Sequence, residues 1–120
     1  MANILIVDDE EGDRLGLAAI LESDGHEVCF AAEGNEALDV YMRRRIHVVV
    51  TDMVMPGGDG LGLITALKNV DPHAAIIAIS GKSRSQLQAS RHFGADVVLQ
   101  KPIDRETLLG AVAEVMDARG

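Results

Sequence analysis

The chain predicts one α/β domain over residues 1–120, built on a five-stranded parallel sheet, and three observations lead there. A length of 120 residues suits a single hydrophobic core. Five short apolar runs rich in Val and Ile recur, separated by segments with helical spacing. Most of these runs are continuous rather than alternating, which is how strands read when both faces are covered, as in a parallel sheet.

The runs are Ile4 to Val7, Val28 to Ala31, Ile46 to Val50, Ala75 to Ile79 and Val97 to Leu99. Leu15, Ala18 and Leu21 recur at helical spacing after the first run, and Ala37, Leu38, Tyr41 and Met42 after the second. Leu61, Ile64 and Leu67 follow the third, a more polar segment from Ser83 to Phe93 the fourth, and Leu108, Val112 and Val115 the fifth. Asn35 and Asp104 stand where helix N-caps belong, Gly25 and Gly94 stand where helices end, and the last helix reads as complete at Met116. Strict βα alternation implies right-handed crossovers with helices on both faces. Five such strands make an open doubly wound sheet of the flavodoxin-like kind, order 2-1-3-4-5, rather than a barrel.

Composition narrows the function. With 48% apolar residues the chain buries enough surface to fold, and its net charge of -8 repels a phosphate backbone, so direct nucleic-acid binding is not expected. A lone cysteine, Cys29, offers neither an internal disulfide nor a cysteine metal site and reads as inert core, in keeping with the cytoplasm. There is no signal sequence and no long apolar run, so export and membrane insertion are not expected. Phe30, Tyr41 and Phe93 are too few for base stacking or an aromatic cage.

The polar residues after the strands carry the chemistry. Asp8 and Asp9 follow the first strand, Thr51 and Asp52 the third, Ser80 the fourth, and Gln100, Lys101 and Pro102 the fifth. In a parallel sheet these ends share one edge, and the first and third strands flank the switch point where a crevice opens. Three carboxylates in mutual reach cannot all stay ionised unless a cation joins them. Oxygen ligands with no cysteine or paired histidine favour a hard ion, and Mg²⁺ suits a site open to water and phosphate oxygens. With Lys101 as a second positive charge, the set fits phosphoryl transfer onto aspartate. Asp52 attacks in line, Ser80 donates a hydrogen bond, and the cations neutralise the equatorial oxygens. Ordinary strand-end polarity explains one such residue, but not acids or their partners at four of five strand ends.

These residues resemble the receiver domains of two-component response regulators, of the chemotaxis single-domain type. The resemblance runs the length of the chain, through Ile4-Leu5-Ile6-Val7-Asp8-Asp9, Thr51-Asp52-Met53-Val54-Met55-Pro56-Gly57, Ala78-Ile79-Ser80-Gly81 and Lys101-Pro102-Ile103. It implies that Asp52 is the phosphoacceptor, that Asp9, Asp52 and the Val54 carbonyl bind Mg²⁺ directly, and that Asp8 holds the ion through water. Ser80 becomes the switch hydroxyl, Lys101 the phosphate-binding lysine, and the bond to Pro102 cis. The implied donor is a histidine kinase or histidine phosphotransfer protein. The implied output is altered binding of a downstream protein at the face formed by the last two helices and the fifth strand. The molecule is then a monomer or a weak, phosphorylation-dependent dimer, and not an enzyme beyond its own phosphorylation and dephosphorylation. It departs from the family at Val98, where an aromatic is common three residues before the lysine, so the switch is expected to act mainly through Ser80, Gly81 and the loop beyond.

Other signals carry less. Gly81-Lys82-Ser83 imitates the end of a P-loop, but Ile76 stands where that motif needs glycine. The glycines from Gly57 to Gly62 read as a mobile loop before a helix, and His26, His47, His73 and His92 lack ligand spacing. Arg43, Arg44 and Arg45 close a helix, where positive charge suits the dipole. Lys82, Arg84, Arg91 and His92 read as a solvated basic face, with partner contact the alternative. The alternative function is an aspartyl-phosphate hydrolase of haloacid dehalogenase type. Its nucleophile ends the first strand with a second Asp two residues on, where this chain has Glu10. A flavodoxin-like FMN carrier fits worse, because Asp8 to Glu11 would repel its phosphate.

Overall fold

The computed structural model describes residues 2–55, 58–81 and 94–119. In chain order these form β1 (Asn3–Val7), α1 (Glu11–Ser23), β2 (Glu27–Ala31), α2 (Gly34–Arg43) and β3 (Val48–Asp52). A short ribbon of β4 (Val54–Met55) and β5 (Gly58–Asp59) comes next, then α3 (Gly60–Val70), β6 (Ile76–Ser80), β7 (Val97–Gln100) and α4 (Arg105–Arg119). The main sheet is parallel throughout, in the order β2-β1-β3-β6-β7. Counting its own strands alone, that is the predicted 2-1-3-4-5.

Strand alternation divides the core into two layers. Ile4, Ile6, Val48, Val50, Ile77 and Ile79 pack with Ala18 and Leu21 of α1 and Leu108, Val112 and Val115 of α4. Leu5, Val7, Val49, Ile76 and Ala78 face the other way, onto Ala37 of α2 and Leu63, Ile64 and Leu67 of α3. Central strands covered on both faces must be apolar at every position, which is why β1, β3 and β6 read as unbroken runs. β2 and β7 lie at the sheet edges and are only partly buried.

Several sequence-based expectations shift locally. β3 begins at Val48 rather than Ile46, because pairing with β1 starts at Ile4 opposite Val48. Thr51 and Asp52 are the last two residues of β3 and Ser80 is the last of β6, at the strand ends where the sequence put them. Leu15 is 56% exposed and Met42 67%, so neither joins the core. The buried faces centre instead on Ala18 and Leu21 in α1 and on Ala37 in α2. Asn35 does not cap α2, which begins at Gly34 with Glu33 before it. Glu36 reaches back to accept the Ala32 N–H at 2.6 Å, which ties the entering chain to the first turn without capping the helix's own amides. Asp104 does cap α4, its Oδ1 accepting the Thr107 N–H at 2.7 Å, and that helix continues past Met116 to Arg119. Gly25 has φ 88, as predicted for a residue just beyond a helix end. The glycine-rich stretch is not all loop, since Gly58–Asp59 pairs with Val54–Met55 and Gly60 opens α3. The polar segment from Ser83 to Phe93, with Lys82 and His92, lies outside the described residues.

Candidate functional site

Strand register assembles the pocket. β1 and β3 pair up to Val7 opposite Thr51, so Asp8 and Asp52 come next, side by side at the carboxyl edge. By alternation both share the parity of Ile6 and Val50 and so lie on the α1/α4 side. Across the sheet Asp52 pairs with Ile79 and Ile79 with Leu99, which brings Lys101 to the same edge two residues later on the same parity. Ser80 closes β6 fully buried on the other parity, and its carbonyl accepts the Lys101 N–H at 2.9 Å. Asp9 follows Asp8 in the turn before α1 and is exposed. The Asp8 carboxylate shapes that turn, its Oδ1 accepting the Glu10 N–H at 2.9 Å.

Asp8, Asp9 and Asp52 each present a carboxylate oxygen, and the three oxygens lie within 4.8 Å of one another. The Lys101 ammonium sits 3.5 Å from Asp52 Oδ2 and 3.9 Å from Asp8 Oδ2. It comes closest, at 3.0 Å, to Asp13 Oδ2 on α1. Burial pushes the Asp8 carboxyl above its ordinary value, and the charges of Asp52 and Asp13 add to the push. The Glu10 amide and Lys101 oppose it without cancelling it. Burial alone would lower the Lys101 ammonium, but the Asp13 hydrogen bond and the charges of Asp52, Asp8 and Asp13 outweigh it and hold the lysine above its usual range. An acidic group of this kind can hold a hard cation: its donors are all oxygen, and the one lysine leaves the buried acids undercompensated.

The predicted site residues Asp8, Asp9, Asp52 and Lys101 therefore come together, with Ser80 at the adjoining strand end. Val54 lies in β4 directly beyond them. The Lys101-Pro102 bond is cis, as the resemblance implied. Asp13 was missed. The only sequence signal was an acid in the first turn of the helix after the first strand, which reads equally well as a residue favouring the helix dipole. Val98 is half-buried against the α2/α3 layer. Cys29 is also half-buried, with burial pushing its thiol above the ordinary value against the pull of Arg44, as suits an inert thiol. A depression of about 710 Å³ lies at the opposite, amino-terminal strand edge among Asn3, His26, Cys29 and Arg44, away from these charges. Among the described residues no helix is long and apolar enough to cross a membrane.

A parallel sheet in this order, with carboxylates and a lysine at its carboxyl edge, defines a flavodoxin-like doubly wound domain whose candidate site lies where such folds bind ligands. Residues 4–113 match the response regulator receiver domain, and the chain belongs to that family of two-component signalling switches. It is 32% identical over 114 residues to sporulation initiation phosphotransferase F of Bacillus subtilis, covering 94% of this chain and 92% of that one. Protein PilH of Pseudomonas aeruginosa is 34% identical over 119 residues, covering 97% of this chain and 98% of its own. The chain also spans less than half of some longer relatives. A crystal structure of a response regulator receiver domain protein from Clostridium thermocellum superposes with a TM-score of 0.94 at 30% identity, covering 99% of this chain and 97% of that one. The haloacid dehalogenase alternative finds no support in these matches.

Proposed function

We propose that this chain is a phosphorylation-controlled switch in which Asp52 accepts a phosphoryl group from a phosphohistidine of a sensor kinase or phosphotransfer protein. The observation that carries the reading is the 3.5 Å approach of the Lys101 ammonium to Asp52 Oδ2, inside a pocket that also gathers Asp8 and Asp9. Asp52 is 9% exposed and ends a strand buried on both faces, so its carboxylate is held in place rather than free to swing. A fixed nucleophile raises effective concentration at the reacting phosphorus.

Asp52 supplies an oxygen lone pair to phosphorus while the phosphorus–nitrogen bond to the donor imidazole breaks, and the imidazole leaves with the bonding pair. Lys101 draws charge off the phosphoryl oxygens, and Ser80 donates a hydrogen bond to one of them. A bound Mg²⁺ supplies charge neutralisation and orients a phosphoryl oxygen. Asp9, Asp52 and the Val54 carbonyl are the proposed direct ligands. Asp8 is assigned the water-mediated position by the resemblance to the family, while its Oδ1 accepts the Glu10 N–H. Phosphorylation replaces a single negative charge at Asp52 with a larger one and shifts a two-state equilibrium. The changed surface, formed by the segment before β7, β7 itself and α4, then binds a downstream protein differently. The protein works as a monomer or a weak phosphorylation-dependent dimer, carries out no turnover of an external substrate, and acts in the cytoplasm.

Beryllofluoride with Mg²⁺ tests this reading. Amide NMR shifts should cluster around Asp52, Ser80 and Lys101, and should vanish in Asp52→Asn. Persistence of the same shifts in that variant would sink the assignment.

A further inference from the structure

We propose that Asp13 is a latch on Lys101: it holds the ammonium in the unphosphorylated protein and must release it before the lysine can engage a phosphoryl group on Asp52. The inference rests on the reading of Lys101 as the phosphate-binding lysine and adds a residue that reading does not contain.

Of the three carboxylates around Lys101, only Asp13 is at hydrogen-bond distance, at 3.0 Å against 3.5 Å to Asp52 and 3.9 Å to Asp8. Asp13 is also not one of the three acids whose oxygens converge within 4.8 Å. Its carboxylate is therefore committed to the lysine and not to the cation-binding group.

Exposure separates it further from the other two. The Asp13 side chain is 44% exposed, against 2% for Asp8 and 10% for Asp52. A buried carboxylate that loses its counter-charge is left unpaired at high cost, whereas an exposed one returns to water. The shortest contact of Lys101 is thus with the acid that can best do without it, which marks a releasable contact rather than a permanent strut. The surroundings leave room for the lysine to move. A groove of about 530 Å³ beside it is lined by Gly12, Gly16, Pro102 and Ile103, and a Cβ added at Gly12 or Gly16 would meet nothing within 4 Å.

A phosphoryl group on Asp52 competes with Asp13 for one ammonium. The latched fraction of Lys101 is unavailable to it, so Asp13 lowers the apparent affinity of the phosphorylated state and of its mimics. Removing the charge should release the lysine. A partly exposed pair of this kind corresponds to roughly a two- to fivefold change in the competing equilibrium.

The experiment is a double-mutant cycle on the full chain, with beryllofluoride affinity measured calorimetrically in excess Mg²⁺ for the wild type, Asp13→Asn, Lys101→Ala and the double variant. Asp13→Asn should bind roughly two- to fivefold more tightly than the wild type, and the same substitution in the Lys101→Ala background should change nothing. In the ligand-free protein the Lys101 side-chain ¹³Cε resonance should also move in Asp13→Asn. Equal tightening in both backgrounds would overturn the latch, since Asp13 would then act only as a nearby charge. Unchanged or weaker binding in Asp13→Asn, or an unmoved ¹³Cε resonance, would overturn it too. A Lys101→Ala variant that binds beryllofluoride as tightly as the wild type would instead overturn the role of the lysine itself.

Discussion

Adding Mg²⁺ to the metal-free protein should raise its melting temperature, because the charges in the pocket favour a cation and mass action sets the size of the rise. Carboxylate oxygens of Asp8 and Asp52, both buried, lie within 4.8 Å of each other. Two unit charges at that separation repel by about 3.5 kcal/mol at an effective dielectric constant of 20. Lys101 attracts each of them at 3.5 and 3.9 Å, but it shares its charge with Asp13 at 3.0 Å and is itself partly in water, which screens it. The upward push on the Asp8 carboxyl, from burial first and then from Asp52, is the sign of the imbalance left over. A cation that binds the native pocket and not the unfolded chain relieves it. At about tenfold over its Kd such an ion contributes roughly 1.4 kcal/mol. A chain of 120 residues unfolds with an entropy of about 0.25 kcal/mol per kelvin, so the melting point should rise by about 5–6 °C. Scanning calorimetry at neutral pH, with and without Mg²⁺, measures this directly. Asp9→Ala should melt normally without metal and lose the Mg²⁺-dependent rise. A wild type indifferent to Mg²⁺, or a variant with the full rise, would refute the reasoning.

Two further outcomes follow. Because the folded protein holds the Asp8 carboxyl above 3.8, the stability it contributes is complete below that value and is lost as pH rises through the folded one. Metal-free melting temperatures should therefore carry a downward step in that window, which Mg²⁺ suppresses and Asp8→Asn removes; a step unchanged in Asp8→Asn would reject the assignment. Val98 packs half-buried against the α2/α3 layer and has no ring to swing inward, so its methyl NMR shifts on beryllofluoride binding should not exceed those of neighbouring β7 residues. Large shifts confined to Val98 would show a switch of a different kind.

What the sequence made legible was whatever depends on strand ends. Asp8, Asp52 and Lys101 are brought together because all strands of a parallel sheet end on one edge, and the apolar runs show where the strands lie. Asp104 was legible as a cap because its bond to Thr107 is local. Asp13 was not, because its meaning lies in a contact 88 residues away in sequence. The same holds for Leu15 and Met42, whose helical spacing fits the buried face as well as that of their neighbours. Only the docking of α1 and α2 on the sheet decides which apolar residues face inward. Asn35 misled because α2 starts one residue earlier, at Gly34, which puts Asn35 inside the first turn rather than before it.

The central claim is that Asp52 is the residue that becomes phosphorylated. Intact-mass spectrometry after incubation with acetyl phosphate and Mg²⁺ tests it most directly. The wild type should gain the mass of one phosphoryl group, a gain lost on chelation of the metal and absent from Asp52→Asn. An adduct of equal yield in Asp52→Asn, or none in a wild type that binds Mg²⁺, would contradict the account.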